Sequence, residues 1–288
     1  MNFGKILTAM VTPFDKEGNI DFDATKNLVN HLIANGTEGL VIAGTTGESP
    51  TLSTAEKVKL FQYVVDVVDK RVPVIAGTGS NSTDGSIDLT KQAESAGVDA
   101  IMLVAPYYNK PNQRGLIAHF SAIANETKLP VMLYNIPGRS VVKMTASTII
   151  ELSKIDNIVS VKEASADLDQ AAEIIENTSE DFSVYSGDDG LTLPMLSIGG
   201  DGIVSVASHV IGNEMQEMIK AYEAGNNKDA GRIHRTLLPK MNALFSAPSP
   251  TPVKAALNMQ GVPVGGVRLP LVPLTSEEQE DLQLILSK

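Results

Sequence analysis

The sequence predicts an α/β fold: a (β/α)8 TIM barrel with a C-terminal helical extension. Three observations lead to it. Short, unbroken apolar runs recur along the chain; a helical pattern follows each of them; and the 288 residues exceed the ~250 typical of one such barrel. Parallel strands covered on both faces lose in–out alternation and read as continuous apolar runs. A doubly wound sheet would also alternate strand and helix, but at eight strands it would be long.

The elements follow in order. KILTAMVT at 5–12 reads as the first strand, stopped by Pro13; Phe22–Ala34 reads as a helix with Leu28, Leu32 and Ile33 at helical spacing and Gly36 beyond its end. GLVIAG at 39–44 is the second strand. Ser53 with Glu56 three residues on forms a capping box, opening a helix that buries Val58, Phe61, Val65 and Val68. Strands at 72–77, 99–106 and 129–135 then alternate with helices at 84–96, 114–126 and 145–154. IVSVKEA at 158–164 holds the sixth strand, with a helix at 168–177 behind it. The last strands are FSVYSG at 182–187 and GIVSV at 202–206, with helices at 189–198 and 213–224. This places the catalytic barrel in residues 1–224. The extension, 225–288, reads as helices at 230–245, 252–259 and from Ser276, where Leu282, Ile285 and Leu286 share one face.

Composition removes several function classes. The 23 basic and 34 acidic residues give a net charge of -11 with no basic cluster, so nucleic acid is not an expected partner. With no cysteine, thiol catalysis, disulfides and thiolate metal sites are excluded. His31, His119, His209 and His234 are scattered without a metal-binding spacing, so no metal is expected. The first apolar run passes directly into DKEGNID and lacks a cleavage site for a leader. No run approaches the ~18 apolar residues of a membrane span, and a cytoplasmic protein without membrane association is expected.

Lys162 stands out because it ends an apolar, β-branched strand, where burying an ammonium is costly. An exposed edge strand would accommodate a lysine cheaply; a barrel strand instead aims it into the mouth where such folds keep their active sites. Other polar residues fall at strand ends on the same side: Gly44-Thr45-Thr46-Gly47-Glu48, Tyr107-Tyr108-Asn109, Tyr134-Asn135 with Arg139, and Lys162-Glu163. Tyr134 and Lys162 fall on neighbouring strands, about 5 Å apart, near enough to exchange a proton through a small substrate. Singly, a GTTG turn, a rim tyrosine or a solvated arginine has a plainer explanation. Their joint placement on one face points to a site.

GTTGE at 44–48, PYYN at 106–109, YNIPGR at 134–139 and VKEA at 161–164 resemble, in order and spacing, the dihydrodipicolinate synthase family of pyruvate-dependent class I aldolases. The resemblance implies a lyase that condenses pyruvate with L-aspartate 4-semialdehyde to 4-hydroxy-tetrahydrodipicolinate, on the route to diaminopimelate and lysine. It implies that Lys162 forms a Schiff base with pyruvate and that no separate cofactor is needed. By the same match, Tyr134, Thr45 and Tyr108 form a proton relay, with Tyr108 supplied by a neighbouring subunit of a homotetramer. Thr45 and Thr46 would receive the pyruvate carboxylate, Arg139 the semialdehyde carboxylate, and the backbone of Gly187 and Ile203 would line the lysine pocket. N-acetylneuraminate lyase and 2-keto-3-deoxygluconate aldolase share the lysine and tyrosine but generally lack the arginine. A phosphosugar enzyme would need a phosphate site after strands seven and eight, where Asp188, Asp189 and Asp201 stand instead. A catalytically inactive barrel used for binding would be expected to have lost part of this set.

Lysine-inhibited members of that family bind the amino acid at a pocket matching Ser49, Pro50, Thr54, Lys57, Asn81, Gly85 and Tyr107. They typically carry a glutamate at the position of Gly85 and histidines at those of Thr54 and Lys57. A chain with glycine and lysine there is expected to be insensitive to L-lysine.

Overall fold

A computed structural model describes residues 3–288. Eight strands pair in parallel and in sequence order, and β8 returns to β1, closing the barrel. They are β1 (Ile6–Ala9), β2 (Gly39–Ile42), β3 (Val74–Gly77), β4 (Ala100–Val104), β5 (Val131–Asn135), β6 (Ile158–Glu163), β7 (Ser183–Ser186) and β8 (Gly202–Ser205). The first seven helices are α1 (Phe22–Ala34), α2 (Thr54–Val68), α3 (Thr83–Ser95), α4 (Gln113–Ala124), α5 (Pro137–Ser140), α6 (Ala146–Leu152) and α7 (Leu168–Asn177). After them come α8 (Thr192–Ser197), α9 (Ser208–Glu223), α10 (Asn227–Ala243), α11 (Thr251–Met259) and α12 (Ser276–Leu286).

Two cores follow from the period of two along each strand. One set of side chains, including Leu7, Val41, Ile75, Met102, Met132, Tyr134 and Tyr185, fills the barrel interior. The other, including Ile6, Leu40, Ile42, Leu103, Leu133 and Ile203, faces the helices. At the β8–β1 seam the backbones approach so closely that a Cβ on Gly202 would lie 2.2 Å from the Lys5 carbonyl oxygen. Only glycine fits there.

The register of β5 on β6 contains one irregularity. Val131 pairs with Ile158 and Met132 with Ser160, so Val159 is an extra residue on β6. A bulge of this kind reverses the in–out order beyond it. Ile158 and Val161 therefore both face the helices, and Lys162, opposite Tyr134, shares the interior face.

Most expected elements are present, with the strands shorter than their apolar runs. The capping box is complete: Ser53 Oγ accepts the Glu56 N–H at 3.2 Å, and Glu56 accepts the Ser53 N–H at 2.8 Å. Behind it α2 buries Leu60, Phe61, Val64 and Val68, whereas Val58 and Val65 are half-buried on the flank. The helix expected at 189–198 is a 3-10 turn at Asp189–Leu191 followed by α8. The helix expected from 213 starts at Ser208, with a non-helical Ile211 inside it; that break hides the first turn from the helical period. The turns at Ser49–Thr51 and Pro137–Ser140 are too short to show a period at all.

His209, at the start of α9, is fully buried. Its Nε2 accepts the Val11 N–H at 3.1 Å, which leaves Nδ1 as the donor to the Val206 carbonyl at 2.8 Å. The neutral ring thus stitches the chain beyond β1 to the chain beyond β8. Burial pushes its pKa down to about 4, opposed by the Val206 bond and reinforced by His31. A folded-state pKa below the unfolded value means stability present above ~6.5 and lost as pH falls toward 4. By pH 5 this one group should cost on the order of 2 kcal/mol. Urea unfolding at pH 7.5 and pH 5 should show the loss, and His209→Gln should show less of it; an equal loss in the variant would contradict the assignment.

Candidate active site

The C-terminal ends of β2, β3, β4 and β5 surround one cavity of about 270 Å3, lined by Gly44, Thr45, Ser49, Lys57, Tyr107, Tyr134 and Arg139 among others. Its floor is set by strand pairing. Tyr134 and Lys162 are opposite each other in the β5–β6 register, and the Lys162 Nζ lies 4.2 Å from the Tyr134 ring centroid. Lys162 is 5% exposed and is not itself a lining residue. Among the described residues no carboxylate comes within ion-pair distance of it. With an aromatic face rather than a carboxylate beside it, the nitrogen has no ion pair to break before it meets a ligand.

The neighbouring positions make room for that side chain. A Cβ at Gly187 would sit 3.1 Å from Lys162 Cε and 2.5 Å from Ala164 Cβ. Tyr185 also pairs with Lys162 in register, but its hydroxyl accepts the Phe3 N–H at 3.1 Å, toward the opposite end of the barrel. Burial pushes its pKa up to about 12. Of the two tyrosines beside the lysine, only Tyr134 lines the cavity.

The loop after β2 is shaped by two residues in left-handed conformations, Ala43 (φ 49°) and Glu48 (φ 55°). Within it the Glu48 N–H donates to the Thr45 carbonyl at 3.0 Å and the Ser49 N–H to the Gly44 carbonyl at 3.2 Å. The hydroxyl of Thr12 donates to the Gly47 carbonyl at 2.7 Å, tying the loop to the first strand's exit. Thr45 lines the cavity, while Thr46 is buried beside it and does not.

Arg139 stands on the short turn α5, exposed at the cavity mouth. The turn's base is fixed by Asn135, whose Oδ1 accepts the Met144 N–H at 3.0 Å and whose Nδ2 donates to the Met144 carbonyl at 3.2 Å. The buried Glu163 holds Asn135 in place, accepting from Asn135 Nδ2 at 2.9 Å, Gln170 Nε2 at 3.0 Å and the Ser165 N–H at 2.7 Å. Lys162 and Glu163 thus serve opposite faces of one strand: the first faces the cavity, the second anchors the arginine turn.

The remaining expected residues divide. Tyr107 lines the cavity, but Tyr108 projects from the loop after β4, 90% exposed, with φ of 72°. A single chain does not bring Tyr108 to Tyr134. The Ile203 side chain belongs to the helix-facing core, so only its backbone is available toward the barrel mouth. Ser49, Pro50 and Lys57 line the outer part of the same cavity, whereas Thr54, Asn81 and Gly85 do not. Burial lowers the pKa of Lys57.

The region after β7 and β8 is closed to phosphate. Asp189 is buried and accepts the N–H groups of Val206 at 3.1 Å and Ala207 at 3.0 Å, with a further bond from the Ser205 hydroxyl. The donors that a phosphate would need are taken by a carboxylate, whose pKa burial raises. Glu48 reads from the sequence only as a loop residue, because the groups its carboxylate meets, the Lys254 ammonium and the Arg268 backbone N–H, lie more than 200 positions away and leave no local signal. The apolar linings Met102, Val104 and Ile136 likewise look like ordinary core residues.

The chain is similar to known proteins over its whole length. The model of the Dihydrodipicolinate synthetase family matches residues 2–288. A protein of Bacillus subtilis (strain 168) named 4-hydroxy-tetrahydrodipicolinate synthase is 60% identical, with 100% of each chain covered. One of the same name from Oceanobacillus iheyensis is 61% identical over 100% of this chain and 97% of its own. The crystal structure of a dihydrodipicolinate synthase from Bacillus anthracis superposes with a TM-score of 0.99 at 63% identity, covering 100% of this chain and 98% of that one. The enzyme from Cyanidioschyzon merolae with lysine bound gives 0.97 at 49% identity, covering 99% and 97%. The chain belongs to the dihydrodipicolinate synthetase family.

Proposed function

We propose that this chain is a 4-hydroxy-tetrahydrodipicolinate synthase, condensing pyruvate with L-aspartate 4-semialdehyde in lysine and diaminopimelate biosynthesis. The observation that carries this reading is the register pairing of Lys162 with Tyr134 beneath a cavity that also holds Thr45 and Arg139. Enzymes of this family need no external cofactor. The Lys162 amine attacks the keto carbon of pyruvate, and water leaves to give a protonated imine. That imine draws electrons from the adjacent methyl, which loses a proton to become an enamine nucleophile. The enamine carbon bonds to the aldehyde carbon of the second substrate. The substrate's own amine then displaces Lys162 from the imine carbon, closing the ring, so that one water is released overall.

Thr45 and Thr46 receive the pyruvate carboxylate through hydroxyl and backbone N–H. Arg139 pairs with the semialdehyde carboxylate in two-point fashion, which a lysine could not reproduce. Tyr134 passes protons between the imine and solvent through Thr45 and Tyr108. The exposure of Tyr108 favours its delivery to a second copy, within a cytoplasmic homotetramer of paired dimers. The backbone of Gly187 and Ile203 borders the lysine pocket. Against the sugar-acid aldolases stands Arg139; against phosphosugar chemistry stands Asp189 on the β8–α9 amides.

Steady-state assay with both substrates tests the reading. Wild-type protein should form product from pyruvate and L-aspartate 4-semialdehyde and be inactive with N-acetylmannosamine or glyceraldehyde as acceptor. Tyr134→Phe and Tyr108→Phe should each lose ~10²–10⁴-fold in rate. Mixing Tyr108→Phe with Thr45→Phe subunits should recover part of it. Turnover of the sugar acceptors would move the chain to another branch of the aldolases.

The outer end of the cavity bears on inhibition. Lys57 brings a positive charge there, and Gly85 supplies no carboxylate. Loss of one partner of a desolvated charge pair weakens binding by about 2–5 kcal/mol, more than tenfold. L-lysine at millimolar concentration should therefore leave initial rates unchanged. Strong inhibition below millimolar would contradict this.

A further inference from the structure

A lysine on an apolar helix is expected to reach solvent, and Lys254 on α11 does not. It is 1% exposed. Its Nζ donates to the Thr12 carbonyl at 2.8 Å and to Glu48 Oε1 at 3.0 Å, and lies 4.2 Å from the Phe14 ring centroid. The second oxygen of Glu48 accepts the Arg268 backbone N–H at 2.9 Å. The Arg268 guanidinium, 4.4 Å from the same Phe14 ring, donates to the Thr51 and Gly18 carbonyls at 2.8 Å and to Glu56. Both oxygens of one loop carboxylate are thus held by residues more than 200 positions later in the chain.

The segment that delivers Arg268 is closely fitted. The Phe14 N–H donates to the Val264 carbonyl at 3.1 Å. Gly265, at φ of 70°, sits where a Cβ would lie 1.9 Å from the Phe14 carbonyl oxygen. No larger residue could bring the chain so near.

What this cluster grips is the turn that carries Thr45. Glu48 adopts a left-handed backbone, unusual for a residue with a side chain. In that conformation its N–H meets the Thr45 carbonyl at 3.0 Å and its own carbonyl accepts from Thr51 at 2.9 Å. Residues held in such sparsely populated conformations persist where the surroundings over-determine them. For stability alone, a buried ion pair is a poor choice, since well-packed apolar side chains often do as well. Its particular use is to fix one geometry. Burial lowers the Lys254 pKa while the Glu48 charge opposes that shift.

We propose that Glu48, Lys254 and Arg268 are positioning residues through which the C-terminal segment holds the Thr45–Thr46 loop in the form that receives the α-keto acid carboxylate. None of the three touches substrate. The inference rests on the Schiff-base reading of Lys162, in which that loop binds pyruvate. It assigns the C-terminal helices a part in substrate affinity.

Kinetics on the full-length protein separate this role from a structural one. Lys254→Met should raise the pyruvate KM about tenfold, the change that ~1.4 kcal/mol of loop reorganisation produces, with the semialdehyde KM unchanged. Lys254→Arg, which retains the charge, should recover part of the affinity. Borohydride trapping of pyruvate on wild-type protein is run alongside: no adduct there overturns the Schiff-base reading itself. A wild-type adduct together with an unchanged pyruvate KM in Lys254→Met overturns the positioning role alone. So does an equal rise in both KM values, which a general loosening of the fold would give. Should Lys254→Met fail to fold, Arg268→Met, which removes the grip on Thr51 and leaves no buried charge behind, is held to the same two criteria.

Discussion

The site depends on one irregularity in strand pairing. Between Val131 and Met132 the register of β5 on β6 slips by one residue, with Val159 as the surplus. Without that slip, Tyr134 would pair with Val161, and the lysine that follows would face the helices. With it, Lys162 lies on the interior face with its nitrogen over the Tyr134 ring, and Glu163 turns outward to Asn135 and Gln170. A bulge that re-aims a side chain is a recurrent device beside active sites. Here it determines which of two adjacent ionisable residues faces the barrel interior beneath the cavity.

From this constraint the rest of the site is assembled by pieces that act at a distance. The arginine turn is fixed by the Glu163–Asn135–Met144 bonds, so the residue next to Lys162 governs where Arg139 stands. The threonine loop is fixed from the other direction, by α11 and the stretch that follows it. The helices beyond Ala224 are therefore coupled to the barrel mouth, although the barrel closes without them. His209 and Asp189 secure the β8–α9 turn, one as a neutral ring and one as a carboxylate capturing backbone N–H groups. In each case a buried polar group has partners, as the cost of leaving it unpaired requires.

Much of the fold was legible because barrel strands are buried on both faces, and eight apolar runs separated by helical periods leave few alternatives. Phe22–Ala34 and Leu168–Asn177 coincide with their expected limits. Elsewhere boundaries moved by a few residues, since hydrogen bonding ends before hydrophobicity does. The lysine, tyrosine, threonine and arginine were legible because each is a polar residue at a strand's end. The bulge was not, since IVSVKE reads the same in either register. Nor were Lys254 and Arg268, whose meaning lies in contacts with residues about 200 positions away. Tyr108 was placed in the site by resemblance; in the single chain it points outward.

By re-aiming β6, the bulge presents Lys162 as the amine proposed to bond to pyruvate. The most direct measurement is to incubate the protein with pyruvate, reduce with borohydride, and map the product by peptide mass. One pyruvate-derived adduct per chain is expected, on Lys162, and none in Lys162→Arg. An adduct on another lysine, or an unmodified wild-type protein, would contradict it.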